Sequence, residues 1–240
     1  MKKTLTTALL VACAGTTVPA VAYQQGDWGL RLGAATVDPN TSSDTIDLNF
    51  LQPGAEAVVR AKDDTQLGLI PFYMLTDQLA VEVLAATPFD HDMVVHGRGA
   101  LQGARLDAGS TKHLPPTVSV QWYLRGGQDG WQPYIGLGLN YTYFFDEQVD
   151  GELIALLGDL SGGAVNDADL DVDDSWGLAA QAGVDFPISD NLSVNLGLWY
   201  IDIDTTAEIT AKANGATAAK VKFDVELDPW VYNIGIAYKF

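Results

Sequence analysis

The sequence predicts an all-β fold: eight antiparallel strands closed into a transmembrane up-and-down barrel, with short periplasmic turns and longer extracellular loops. Three observations carry that reading. The last eleven residues, Trp230 to Phe240, place an aromatic residue or Ile at every even position. Apart from Val231, the odd positions are small or polar. Strict period two makes a strand with one apolar and one polar face, and rings at both ends of the apolar face suit contact with lipid. Hydrophobic residues make up 48% of the chain, yet residues 23–240 contain no run of about 18 apolar residues that could span as a helix. Finally, segments of alternating character are joined by connections that run long and short in turn, as in outer-membrane barrels.

The first segment covers about Asp27 to Val37, with Trp28, Leu30, Leu32 and Ala34 on the apolar face and Arg31 opposite. Thr65 to Leu75 forms the second, and the tight turn Thr76-Asp77-Gln78 leads to Leu79, Val81, Val83 and Ala85 on the third. A long loop is expected from about His91 to Pro116. Val118, Val120, Trp122 and Leu124 mark the fourth strand; a Gly-rich turn over residues 125–130 precedes Ile135 to Tyr143, the fifth. Residues 147–174 read as another long connection, with a short helix near Glu152 to Leu160. Trp176 to Phe186 is the sixth strand, Ser189-Asp190-Asn191 a turn, and Leu192 to Leu198 the seventh. A polar loop around Ala211 to Lys220 precedes the last strand. Ten residues at about 3.3 Å rise and a tilt near 40° span roughly 25 Å, the height of the apolar band on such barrels. An even strand number puts both termini on the periplasmic side.

The N-terminus gives the same address. Lys2 and Lys3 precede an apolar stretch from Leu5 to Val18, and Ala20-Val21-Ala22 fits a cleavage site. Residues 1–22 therefore read as a secretory signal peptide and residues 23–240 as the barrel domain. A rival lipoprotein box at Leu10 to Cys13 would leave an unusually short apolar segment before Cys13. Cleavage after Ala22 removes the chain's single cysteine and takes the formal net charge from −18 to −20 with the loss of Lys2 and Lys3. Such acidity argues against a nucleic-acid partner, since phosphates are bound by Lys and Arg. A soluble barrel with the apolar faces inward is excluded by volume, because an eight-stranded interior is only just wide enough for side chains.

With apolar faces outward, strand parity assigns the lumen. Near the periplasmic end it receives Arg31, Glu82, Gln121, Asp185, Asn195 and Lys239; higher up it receives Ile70, Phe72, Leu84, Trp199 and Ile201. Charges of both signs in so narrow a space must pair, which predicts a polar plug below an apolar bore. A hydrophobic solute entering from outside would meet the plug and leave sideways. Pro88 ends the third strand, and Pro115-Pro116 begin the fourth at similar height. None of them can donate a ladder hydrogen bond, so they mark a candidate lateral opening; equally, they could simply end the two strands.

Several segments resemble the OmpW family of small outer-membrane barrels: TQLGL from Thr65, VEVLAATPF from Val81, HLPPT from His113, QWY from Gln121, PYIGLGLNYTYFF from Pro133, DSWG from Asp174, WYIDIDTTA from Trp199 and LDPW from Leu227. The resemblance implies a narrow hydrophobic channel admitting small hydrophobic molecules, service as a bacteriocin receptor in some relatives, no enzymatic activity and no obligate cofactor. It also implies a pore constriction at Leu84 and Trp199, both of which parity places inside. The ending at Tyr238 and Phe240 resembles the signal by which the outer-membrane assembly machinery recognises barrels. Lipid, lipopolysaccharide and small hydrophobic solutes are the other expected partners. The acidic third extracellular loop and Pro71 depart from the family pattern.

Remaining motifs carry little chemistry. Asp167, Asp169, Asp171, Asp173 and Asp174 lack the Gly and terminal Glu of an EF-hand loop and read as a solvated acidic loop. His91, His96 and His113 match no helical or hairpin metal spacing, so no metal is expected and His113 reads as structural. No G-x-S-x-G motif occurs and inward Ser193 has no candidate imidazole nearby, so the chain is not read as an enzyme. A packed apolar lumen without a channel, in a purely structural or receptor barrel, would present the same sequence.

Overall fold

A computed structural model describes residues 22–49 and 52–240; the signal-peptide assignment falls almost wholly outside them. The chain runs through β1 (Trp28–Asp38), β2 (Ser42–Ser43), β3 (Ile46–Asp47), β4 (Ala55–Ala61), β5 (Asp64–Met74), β6 (Leu79–Ala86), β7 (Phe89–Gly99) and β8 (Arg105–Leu114). It continues through β9 (Thr117–Tyr123), β10 (Gln132–Val149), α1 (Gly151–Leu160), β11 (Asp167–Val172), β12 (Ser175–Pro187), β13 (Leu192–Ile201), β14 (Asp204–Ala213), β15 (Ala216–Glu226) and β16 (Trp230–Lys239).

Eight of these close the barrel in the order β1-β5-β6-β9-β10-β12-β13-β16, and β16 pairs back onto β1 from Gly29↔Lys239 to Asp38↔Trp230. The eight predicted segments correspond to them one for one. Short turns at one end set the registers. Thr76 Oγ1 accepts from the amides of Gln78 and Leu79 at 3.2 and 3.0 Å, and the Ile188 amide donates to the Leu192 carbonyl at 2.7 Å. Such hydroxyl-to-backbone bonds are what favour Thr in a tight turn.

Outside the wall stands a continuous apolar surface that includes Leu67, Val118, Leu137, Leu178 and Ile234, bounded at each end by rings. At the lower end, where Tyr23 and Phe240 lie, Trp28 stacks on Phe240 with centroids 4.0 Å apart. At the upper end Tyr141 packs on Trp176 and Tyr200 on Trp230, at 4.7 and 5.2 Å. An apolar band between two aromatic girdles is the exterior of a membrane barrel.

Above the upper girdle the sequence reading is corrected. The long connections are mostly strands, not loops. β7 and β8 form a hairpin, and the sheet β10-β8-β7-β4-β3 continues the barrel wall upward. A second sheet, β11-β14-β15-β2, faces it, and the expected polar loop around residues 211–220 is the β14–β15 hairpin, turning at Asn214 and Gly215 with φ of 50° and 83°. Three residues of the acidic run, Asp167, Asp169 and Asp171, belong to β11 and alternate because Ala168, Leu170 and Val172 turn toward the other sheet; Asp173 and Asp174 follow the strand. Helix α1 matches the expectation. Asp150 caps it by accepting from the Glu152 amide at 2.8 Å, and Leu153 and Leu157 are buried against the sheets.

Candidate functional site

The lumen is layered. Arg31, fully buried on β1, donates to Glu82 Oε2 of β6 at 2.6 Å, to Asp185 Oδ2 of β12 at 3.0 Å and to the Tyr123 hydroxyl of β9 at 2.5 Å. Gln121 donates to Glu82 at 2.6 Å and to the Gln181 amide oxygen at 2.9 Å. Asn195 donates to Asp185 at 2.8 Å and to the Tyr134 hydroxyl at 3.1 Å, and Asn233 donates to Asn195. Three neighbouring strands, β6, β9 and β12, thus converge on one guanidinium. Arg is suited to the place, because its planar fork serves two carboxylates at once and its faces tolerate aromatic contact. Here those faces meet Phe72 at 4.4 Å and Tyr134 at 4.9 Å.

The structure thus brings Arg31, Glu82, Gln121, Asp185 and Asn195 into one hydrogen-bonded network and places two of the expected residues differently. Lys239 is not part of it: register places it opposite Gly29 at the lower rim, where it pairs with Asp27 at 3.3 Å. Phe72, expected in the bore, belongs to the plug. It lies opposite Gly29 and Glu82, one rung below Ile70, and packs with Tyr23, Tyr123, Tyr134, Met74 and Ala80. Tyr23, Tyr123, Tyr134, Gln181 and Asn233 are plug members that sequence reasoning missed. Parity alone would have turned all but Tyr23 inward. Tyr23 precedes the first strand, and its hydroxyl donates to Asp185 at 3.2 Å.

Large rings fit inside eight strands because glycines face them. A Cβ on Gly29 would lie 2.6 Å from the Phe72 ring; on Gly183, 2.3 Å from Tyr134; on Gly197, 2.4 Å from Trp199. Gly183→Val should therefore destabilise the barrel by about 1–3 kcal/mol, the usual range for overpacking. Urea unfolding in detergent micelles checks this against the parent.

Above the plug lie Ile70, Leu84, Trp199 and Ile201, none more than 3% exposed. They fill this level. Ala35 completes the layer, which is continuous with the apolar interior of the upper sheets.

Three apolar cavities lie above or beside this layer. The lowest, of about 230 Å³ empty volume, is lined by Val37, Leu84, Ala85, Ala86, Phe89, Pro115 and Val231. The next, of about 860 Å³, shares Val37 with it and rises between the two sheets. The third, of about 490 Å³, shares Val95, Leu153 and Ile209 with the second and reaches Leu157 of α1. At the lowest cavity the wall itself is interrupted. Pairing of β6 with β9 stops at Leu84↔Thr117 and resumes between β7 and β8 at Phe89↔His113. Pro88, Pro115 and Pro116 lie in that interval. Pro115 and Pro116 turn their carbonyls to the other neighbour, accepting from Asn140 Nδ2 at 3.1 and 3.4 Å. A shorter interruption on β5, at Ile70 and Pro71, faces β6.

The remaining candidates resolve as follows. His91 and His113 do come together, contrary to the spacing argument, because the β7–β8 register sets Phe89 opposite His113 and His91 opposite Thr111. Their rings stack at 4.8 Å, whereas His96 lies opposite Arg105. The aspartates from Asp167 to Asp174 do not converge. A different trio does, Asp202, Asp204 and Asp228, with carboxylates within 4.8 Å of one another. Asp228 already accepts from the Tyr200 hydroxyl and the Ile203 amide. Tyr238 packs edge-on against Phe240, whose amide donates to the Trp28 carbonyl across the closing seam.

The sequence profile of the OmpW family matches residues 24–240. Outer membrane protein W of Vibrio cholerae is 43% identical over 240 residues, covering both chains in full. The crystal structure of the outer membrane protein OprG from Pseudomonas aeruginosa superposes with a TM-score of 0.75 at 40% identity, covering 91% of this chain and 98% of that one. A more distant Pseudomonas aeruginosa relative, 26% identical over 219 residues and 90% of each chain, carries the name dibenzothiophene metabolism operon protein PahQ. With a closed eight-stranded barrel and a profile match across nearly all of its length, this chain belongs to the OmpW family of outer-membrane barrel proteins.

Proposed function

We propose that this protein lets small hydrophobic molecules cross the outer membrane passively, entering from the upper sheets and leaving sideways into the membrane. The carrying observation is the run of apolar cavities that ends at the interrupted seam. Leu84 and Val37 face the lumen there, while Ala85, the next residue on β6, faces lipid, and all three border one space. That supports a passage through the wall at Pro88, Pro115 and Pro116. Below it, the Arg31 network gives an apolar solute no favourable way down, since displacing it would strand buried charges. Moving along the cavities instead keeps the solute out of water, at about 25 cal/mol per Å² of apolar surface. Such a route needs no catalysis, cofactor or energy source. The name of the PahQ relative, which refers to an aromatic sulfur heterocycle, supports the same solute class.

In this reading the upper sheets are extracellular, both termini are periplasmic, and Tyr238 and Phe240 address the assembly machinery. Proteoliposomes test the transport. n-Octane should enter several-fold faster than into protein-free vesicles, with no gain for a polar solute of similar size. Leu84→Asn or Trp199→Gln should remove most of the gain. Faster entry of the polar solute would instead identify a general pore, and no gain for either solute a closed receptor or structural barrel.

A further inference from the structure

The cavity between the two upper sheets is apolar on nearly every side, with Val59, Val95, Val172, Ile203 and Phe223 among its walls. One strip differs. On the β7–β8 hairpin, beyond the upper girdle, His91, Thr111 and His113 all line this space. Each is buried, and four of their polar atoms have no hydrogen-bond partner: His91 Nε2, Thr111 Oγ1 and both ring nitrogens of His113. Phe89 and Phe144 flank the stacked imidazoles at 5.6 Å from His113. Buried polar atoms are normally satisfied, so four orphans on side chains that line one apolar chamber ask for a ligand.

Their chemistry specifies its polar end. The Lys62 carbonyl lies 2.5 Å from His91 Nδ1, so that nitrogen carries the proton and donates, which leaves Nε2 as an acceptor. Burial holds His91 below its ordinary range and His113 down to about 3, so both rings are neutral at working pH. A neutral His113 offers one donor and one acceptor, and Thr111 offers either. His91 also acts on His113, and the other titratable groups that act on these rings are carboxylates, Asp63, Asp64 and Asp90 on His91 and Asp64 on His113. No Lys or Arg is among the described residues that line the cavity, so an anionic ligand would find no cation in its walls.

We propose that His91, Thr111 and His113 form a binding subsite for the hydroxyl end of an otherwise apolar solute, such as a medium-chain alcohol. The hydroxyl donates to His91 Nε2 and accepts from His113 or Thr111, while its chain lies against the aliphatic walls. Water competes for the same atoms but brings no chain to bury. A plain hydrocarbon leaves all four atoms unmatched, and a carboxylate is rejected for want of a counter-charge. The subsite rests on the reading of this lumen as a hydrophobic conduit and narrows its preferred solute.

The mature protein in lipid nanodiscs tests it, with 1-octanol and n-octane as probes and protein-free nanodiscs as blanks. Imidazole ¹⁵N resonances provide the readout, and His96 serves as an internal reference. Octanol should move the His91 and His113 signals and leave His96 in place; octane should move none. In His91→Leu and Thr111→Val the ratio of octanol to octane affinity should fall about tenfold, the upper effect of one net hydrogen bond. Thr111→Val nearly preserves volume, so it remains informative if His91→Leu fails to fold. Unmoved resonances, or an unchanged affinity ratio in Thr111→Val, overturn the subsite. Absence of transport for both probes in proteoliposomes would instead overturn the conduit, and the nanodisc spectra separate the two failures.

Discussion

Arg31→Met should cost about 3–5 kcal/mol of folding free energy, the usual penalty for removing one partner of a buried ion pair. The cost comes less from the lost attraction than from what is left behind. Glu82 and Asp185 would remain fully buried, with no other ion-pair partner among the described residues. The Tyr123 hydroxyl and the faces of Phe72 and Tyr134 would lose their contact as well. Urea titration of the mature protein in micelles measures the loss. The triple variant Arg31→Met, Glu82→Gln, Asp185→Asn should recover most of it, because neutral groups of similar size carry a far smaller desolvation penalty. If the single variant unfolds at the parent's urea concentration, the network is not what holds the lower lumen together.

Replacing Pro88, Pro115 and Pro116 together by Thr should cut the initial rate of octane uptake by about tenfold or more and raise stability. Each Thr restores an amide that proline lacks. Three amides in an interval now without ladder pairs can close it, at about 0.5–1.5 kcal/mol per hydrogen bond made. Pro71→Thr is the matched control. It sits in the shorter interruption between β5 and β6, does not line the cavity at Ala85, and should leave uptake unchanged. Equal uptake by the triple variant and the parent would remove this seam as the exit.

Much of this architecture is legible in the residues, and the failures have physical causes. Period two survives wherever one face meets lipid, so Trp230 to Phe240 and its seven counterparts could be placed within a few residues. The same parity put Arg31, Glu82, Gln121, Asp185, Leu84 and Trp199 inside. Height is harder, because it depends on the stagger between neighbouring strands, which no single strand encodes. Parity therefore sets Phe72 one level too high and draws Lys239 into the network instead of onto the rim. Above the membrane the signal inverts: the exterior is polar, and the interior mixes Val with His, Thr and Ala. Hence β7, β8, β14 and β15 read as loops, although the alternating aspartates of β11 were already a strand's exposed face. The meeting of His91 and His113 follows from that hairpin register and was invisible without it.

Tyr23 has a practical bearing on how the protein is handled. Its ring rests on Phe72 and Tyr123 and its hydroxyl on Asp185. An affinity handle fused directly before Gln24 would evict Tyr23 and leave a carboxylate short of a donor. The exposed tip at Asn214 and Gly215, which already tolerates a left-handed backbone, is the better place for immobilisation tags and fluorophores.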